Sequence, residues 1–121
     1  MSKGWYFRPV LFVKDAEASY RHYVEALGFK GEWRHEEDGA LLVGQVSRDH
    51  MEIILNRDTD RAGKGRVFLS VDDGVARKVT AVMHKSGADV RDGHWGMPVV
   101  IVRDLDGNEL IFSDGELNKA T

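Results

Sequence analysis

The stretch Arg8 to Asp15, RPVLFVKD, decides the fold because the chain writes it a second time, as RVFLSVDD over Arg66 to Asp73. Aligning Asp15 with Asp73 places Arg8 on Arg66 and Val13 on Val71. The two copies also end alike, in MEIIL at Met51 to Leu55 and NELIF at Asn108 to Phe112. A repeat of this period describes two copies of one small unit, each too small to bury a core of its own. Two such units must pair, and the surface between them is the natural place for a ligand.

Working outward from Arg8, the aromatic and β-branched run Trp5 to Val13 predicts a strand, and Asp15 predicts a helix N-cap whose carboxylate accepts free backbone N–H groups. Tyr20, Tyr23, Val24 and Leu27 recur at helical spacing, and Gly28 supplies the stop. Strands are expected at Lys30 to His35, Leu41 to Ser47 and His50 to Asn56, with EEDG at Glu36 to Gly39 as the first turn. Together these make a βαβββ unit, repeat 1, residues 5–56. The polar, glycine-bearing run 57–65 reads as a linker.

Repeat 2, residues 66–114, is expected to follow the same plan. It has a strand at Arg66 to Val71, an N-cap at Asp73, a helix through Val75, Val79, Val82 and Met83, and a stop at Gly87. Strands follow at Asp89 to His94, Pro98 to Val102 and Glu109 to Phe112. The Asp-Gly of RDLDGN suits the tight hairpin between the last two. The tail from Gly115 is polar and is expected to fray. The whole is an α+β chain of one domain, residues 1–121, with two βαβββ modules.

Composition narrows the function. A net charge of −3 without a clustered basic excess gives no support to nucleic-acid binding. The absence of cysteine excludes disulfides, thiolate metal sites and cysteine nucleophiles. No apolar run approaches the roughly 18 residues of a membrane span. MSKGWYFRP lacks the apolar stretch of a signal peptide, so a cytoplasmic location is the expectation.

Two segments carry a resemblance to a known family: RPVLFVKDAEASYRHYVEALGF from Arg8 to Phe29, and HWGMPVVIVRDLDGNELIF from His94 to Phe112. With the repeat between them they resemble the glyoxalase/bleomycin resistance/extradiol dioxygenase superfamily, the vicinal oxygen chelate fold, over about Arg8 to Phe112. The resemblance implies two βαβββ modules whose sheets curl into a cup with helices outside. It further implies a homodimer, often with exchanged elements, and two symmetric ligand grooves.

Enzymes of this superfamily hold a divalent metal in the cup through His, Gln or Glu on the first and last strand of each module. Those four positions fall here on Arg8, Ile54, Arg66 and Ile111. A guanidinium has no acceptor lone pair and isoleucine has no donor atom. The five histidines, His22, His35, His50, His84 and His94, are scattered and offer no substitute cluster. No metal and no cofactor are therefore expected.

Strand alternation brings Arg8, Arg66, Glu52 and Glu109 to one face, and Leu11, Val13, Ile53 and Leu55 to the face that meets the helices. Arginine and glutamate on neighbouring strands can neutralise each other. Alternatively, the two arginines form an anion clamp, since a guanidinium presents a planar fork of donors. Trp33 and Trp95 are candidates for stacking on a flat ring, against dimer-interface or core packing. His35 is a further groove candidate. His22 and His84 are expected at the solvated surface, and Trp5, Tyr6 and Phe7 in N-terminal packing. The acidic turn Glu36, Glu37 and Asp38 reads as a solvated turn, or, by resemblance to the sequestering members with negatively charged grooves, as a site for a cationic partner.

The expected function is metal-free sequestration of a small organic, antibiotic-like ligand in dimer grooves. Its ligand-binding residues would be Arg8, Arg66, Trp33, Trp95, Glu52, Glu109 and His35. The alternative is a glyoxalase- or dioxygenase-type enzyme of the same superfamily, a lyase or oxidoreductase.

Overall fold

In the computed structural model, which describes residues 4–119, the repeat is expressed as two four-stranded sheets. The first module comprises β1 (Val10–Val13), α1 (Ala16–Glu25), β2 (Lys30–Glu37), β3 (Ala40–Arg48) and β4 (Met51–Arg57), with strand order β1-β4-β3-β2. The second comprises β5 (Arg66–Ser70), α2 (Val75–Lys85), β6 (Asp89–His94), β7 (Pro98–Arg103) and β8 (Glu109–Ser113), with order β5-β8-β7-β6. In each sheet the first strand runs parallel to the last and the other pairs are antiparallel. A short helix, α3 (Gly115–Lys119), closes the chain.

The alternation expected from sequence holds on the helix side. Leu11, Val13, Ile53 and Leu55 are buried beside Tyr20, Tyr23 and Leu27 of the α1 segment. Val100, Val102, Leu110 and Phe112 are buried with Ala76 and Met83 of α2, and all of these belong to one continuous core. At about 25 cal/mol per Å² of apolar surface removed from water, burial of these side chains against the helices is the main stabilising term of the fold. Asp15 caps α1, its carboxylate accepting from the Ala18 N–H at 3.0 Å. The first hairpin turns on Asp38 and Gly39, both in the left-handed region, which suits the twist of a two-residue β-turn.

Polar groups fasten the modules together. The Tyr23 hydroxyl donates to Asp104 Oδ2 at 2.9 Å, and burial beside this carboxylate raises its pKa well above the usual phenol value. Asn108 donates to the Phe12 carbonyl and to Asp104 Oδ2, each at 3.0 Å, and accepts the Gly65 N–H at 2.8 Å. The Lys14 N–H donates to Asp106 Oδ1 at 3.1 Å; burial raises the Asp106 pKa.

Five local expectations are corrected. The first strand starts at Val10, because Pro9 has no N–H to give a ladder, and the pairing opens with the Ile54 N–H donating to the Pro9 carbonyl. Trp5 and Phe7 do not pack within the chain, being 99% and 92% exposed. Gly74, with φ +85, takes the N-cap of α2, and Asp73 instead accepts from the Gly115 N–H and Lys119 Nζ. The segment after Ser113 is helical rather than frayed, because Leu117 is buried and Asp114 accepts the N–H groups of Leu117 and Ala76. His22 is half-buried, with its Nε2 unpartnered among the described residues, and burial lowers its pKa.

Candidate functional site

The segment leading into β1, the start of β4 and the strand β5 line a cleft of about 440 Å³ between the modules. Arg8 and Glu52 line it from the first module, Arg66 and Phe68 from the second, with Phe7 and His50 at its margins. Each arginine comes from the start of a repeat, so the internal symmetry of the sequence delivers two guanidiniums to one place.

The two are held differently. Arg8 Nη1 donates to Gln45 Oε1 at 2.8 Å, and Trp33 Nε1 donates to the same oxygen at 3.1 Å. The Gln45 amide then donates to Glu52 Oε1 at 3.4 Å. A single buried glutamine thus positions a cation, an indole and a carboxylate. The Arg8 guanidinium also lies over the Tyr6 ring, 5.4 Å from its centroid, within cation–π range.

Arg66 is level with Glu109 in the parallel β5–β8 ladder, and its Nε is 3.4 Å from Glu109 Oε1. The other oxygen, Oε2, accepts from Arg103 Nε at 2.9 Å. Phe68 packs on Trp95 with ring centroids 5.5 Å apart, and Arg66 lies 6.0 Å from the Trp95 centroid. Trp95, Phe68 and Trp33 are each partly exposed, and together with Phe7 they put aromatic surface around the arginines.

Of the seven candidates read from sequence, Arg8, Arg66 and Glu52 line the cleft itself. Trp33 joins them through Gln45, and Trp95 through Phe68 and Arg66. Glu109 sits beside the cleft, in a neighbouring depression of about 390 Å³ that it shares with Arg66, Arg103 and Lys64. His35 is not brought to the cleft; it is exposed on β2, with Nε2 3.2 Å from Glu37 Oε2. The acidic turn is likewise occupied locally, Glu36 pairing with Arg34 at 3.2 Å. Arg34 also binds Glu17 of α1, and this bond lowers the Glu17 pKa while raising that of Arg34.

Sequence reasoning missed Gln45 and Arg103. Arg103 could have been found, because the Asp-Gly hairpin sets the register that places it opposite Glu109. Gln45 leaves a weaker signal, one amide within the apolar run LLVGQV.

The residues at the four metal-ligand positions do not fit a divalent cation. Ile54 pairs with Val10 and Ile111 with Phe68, and neither isoleucine carries a donor. Arg8 and Arg66 bring positive charge to the remaining two positions. The carboxylates nearest to them, Glu52 and Glu109, are already bonded to Gln45 and to two guanidiniums. Among the described residues no group of three or more His, Cys, Asp or Glu converges as a metal site would require. None of the described helices is long and apolar enough to cross a membrane.

Comparison with solved structures returns the same fold. A bleomycin-binding protein from Streptomyces verticillus, complexed with copper(II)-bleomycin, superposes with TM-score 0.73 at 22% identity, covering 96% of this chain and 100% of that one. An antibiotic-binding protein from a Streptomyces species gives 0.63 at 20% identity, covering 93% and 98%. A lactoylglutathione lyase from Agrobacterium tumefaciens gives 0.69 at 16% identity, covering 96% and 98%. No curated protein matches the chain by sequence. The family model described as Glyoxalase/Bleomycin resistance protein/Dioxygenase superfamily matches residues 6–112, nearly the full span of the two modules. The chain belongs to the glyoxalase/bleomycin resistance protein/dioxygenase superfamily.

Proposed function

We propose that this protein binds a small organic molecule in the cleft between its modules and holds it without reaction. The observation that carries the reading is the chemistry of the cleft: two arginines and aromatic side chains surround it, where a metal-dependent relative would place donor side chains. Arg8 and Arg66 contact the polar groups of the ligand, while Trp33 and Trp95 with Phe68 offer flat surfaces for its rings. Glu52 orients the Gln45 amide, and Glu109 orients the second arginine. Structural relatives that bind bleomycin and another antibiotic support a sequestering role.

The working unit in this reading is a homodimer. Trp5 and Phe7 are almost fully exposed, with Phe68 and Trp95 each near half, which leaves much aromatic surface for a second copy to cover. Two copies would then give two grooves. A lyase or dioxygenase activity of the family type would need donor side chains that Arg8, Ile54, Arg66 and Ile111 do not supply.

The test is a titration of the purified protein with flat aromatic compounds, bleomycin among them, followed by tryptophan fluorescence, with recovery of the compound afterwards. Saturable binding to a dimer, with the compound returned intact, is expected. Turnover of the compound, or the absence of saturable binding across the set, would overturn the reading.

A further inference from the structure

Glu109 offers one negative charge to two guanidiniums, and the second is surplus. Its side chain is only 14% exposed, so it is a fixed, sheltered acceptor, and Arg103 alone would satisfy its charge. Arg66 nevertheless approaches the other oxygen while remaining 66% exposed. Both arginines meet Glu109 through Nε. Among the described residues neither arginine hydrogen-bonds this carboxylate through an Nη group, the part of the fork suited to a planar or tetrahedral anion. Lys64 lines the same depression, and among the described residues its Nζ donates only to the Asp60 carbonyl, at 3.4 Å. The depression therefore holds Lys64, Arg66 and Arg103 against one carboxylate, in a chain whose overall charge is negative.

Arg66 belongs to the linings of both the depression and the apolar cleft. We propose that the depression is an anionic subsite. Arg66, Arg103 and Lys64 take a phosphate, sulfate or carboxylate group of the ligand, while its apolar body lies in the cleft against Phe7 and Phe68. Glu109 is the positioning residue that turns the two guanidiniums toward the anion. This rests on the cleft-binding reading and sharpens it: the ligand is an aromatic or apolar anion, and cationic ligands are disfavoured. Arg103 and Lys64 thereby become determinants of specificity.

The experiment compares 1-naphthyl phosphate, neutral 1-naphthol and inorganic phosphate by calorimetry and by ¹⁵N NMR of the arginine Nε groups. The wild type should bind 1-naphthyl phosphate at least about tenfold more tightly than 1-naphthol, the order expected of one or two charge-assisted hydrogen bonds. Arg103→Gln and Lys64→Ala should each weaken 1-naphthyl phosphate binding about three- to tenfold and leave 1-naphthol affinity unchanged. Lys64→Ala alters an exposed side chain, so it keeps the test valid should Arg103→Gln fail to fold. Equal affinity for the two naphthyl compounds would overturn the subsite and leave the cleft reading standing. Phosphate-induced shifts at Arg66 and Arg103, with no binding of either aromatic, would support the subsite and remove the cleft. No response to any of the three would overturn both.

Discussion

Tyr23 on the first helix donates its hydroxyl to Asp104, the residue that follows β7, 2.9 Å away and in the other module. The same carboxylate oxygen accepts from Asn108, and the other accepts the N–H groups of Asp106 and Asn108, each at 2.9 Å. This buried carboxylate links the first helix to the hairpin of the second repeat. The cleft lies between the two modules it joins.

Tyr23→Phe should therefore destabilise the fold by about 1.5–3 kcal/mol, the range for a hydrogen bond to a charged group. Urea unfolding reads this as a lower midpoint with an unchanged slope. A loss below about half a kcal/mol would show that Asn108 and the backbone donors hold Asp104 without the tyrosine.

Raising the pH should expose the same group. Burial and Asp104 push the folded Tyr23 pKa well above the ordinary phenol value of 10.0. Its contribution is complete below that value and is lost as pH rises beyond it, because the unfolded tyrosine ionises first. Wild-type stability should fall above pH ~10 more steeply than that of Tyr23→Phe. Parallel curves would place the alkaline transition elsewhere.

At the other end of the scale, burial lowers the His22 pKa from the ordinary imidazole value of 6.5. The unfolded imidazole takes a proton before the folded one does, so stability should decline as pH drops below ~6.5 and level off beneath the folded pKa. His22→Gln should flatten that window, as measured by thermal midpoints between neutral and mildly acid pH. An unaltered slope would assign the loss to other groups.

Replacing Gln45 by Leu removes the one acceptor shared by Arg8 and Trp33. The indole N–H resonance of Trp33 should move toward its solvent-exposed position, and ligand affinity in the cleft should fall with it. Stability should drop by about 1–2 kcal/mol, since two donors lose their partner at a partly buried site. An unmoved Trp33 resonance would mean that packing alone sets the indole.

Gly65→Ala should cost about 1–3 kcal/mol by overpacking. The added Cβ would stand 2.6 Å from Leu11 Cδ2 and 3.1 Å from Asn108 Oδ1, where the linker crosses between modules. Gly39→Ala meets nothing within 4 Å and is strained only by its φ of +77, a penalty of about 1–2 kcal/mol. Chemical denaturation of the two variants separates crowding from backbone strain. In Gly65→Ala the damage should extend to the Asn108 amide, and in Gly39→Ala it should stay within the β2–β3 hairpin.

The order of strands and of the two main helices was legible in the sequence, because each depends on local periodicity and on turn residues a few positions away, whereas α3 was not, since it depends on the burial of Leu117. The alternation of Leu11 with Phe12, and of Ile53 with Ile54, already states which face meets the helix. The sequence also brought the two arginines forward, since Arg8 and Arg66 occupy the same place in a repeat. How each charge is answered depends on contacts made across the folded chain. Arg8 is held by Gln45, thirty-seven positions away, and Glu52 reaches it only through the Gln45 amide among the described residues. Arg66 must share Glu109 with Arg103, and His35 turns to Glu37. Long side chains choose among several partners within a few ångströms, and the choice is set by strand register and by the approach of the two modules. That information is distributed over the whole chain and leaves no periodic trace in any one segment.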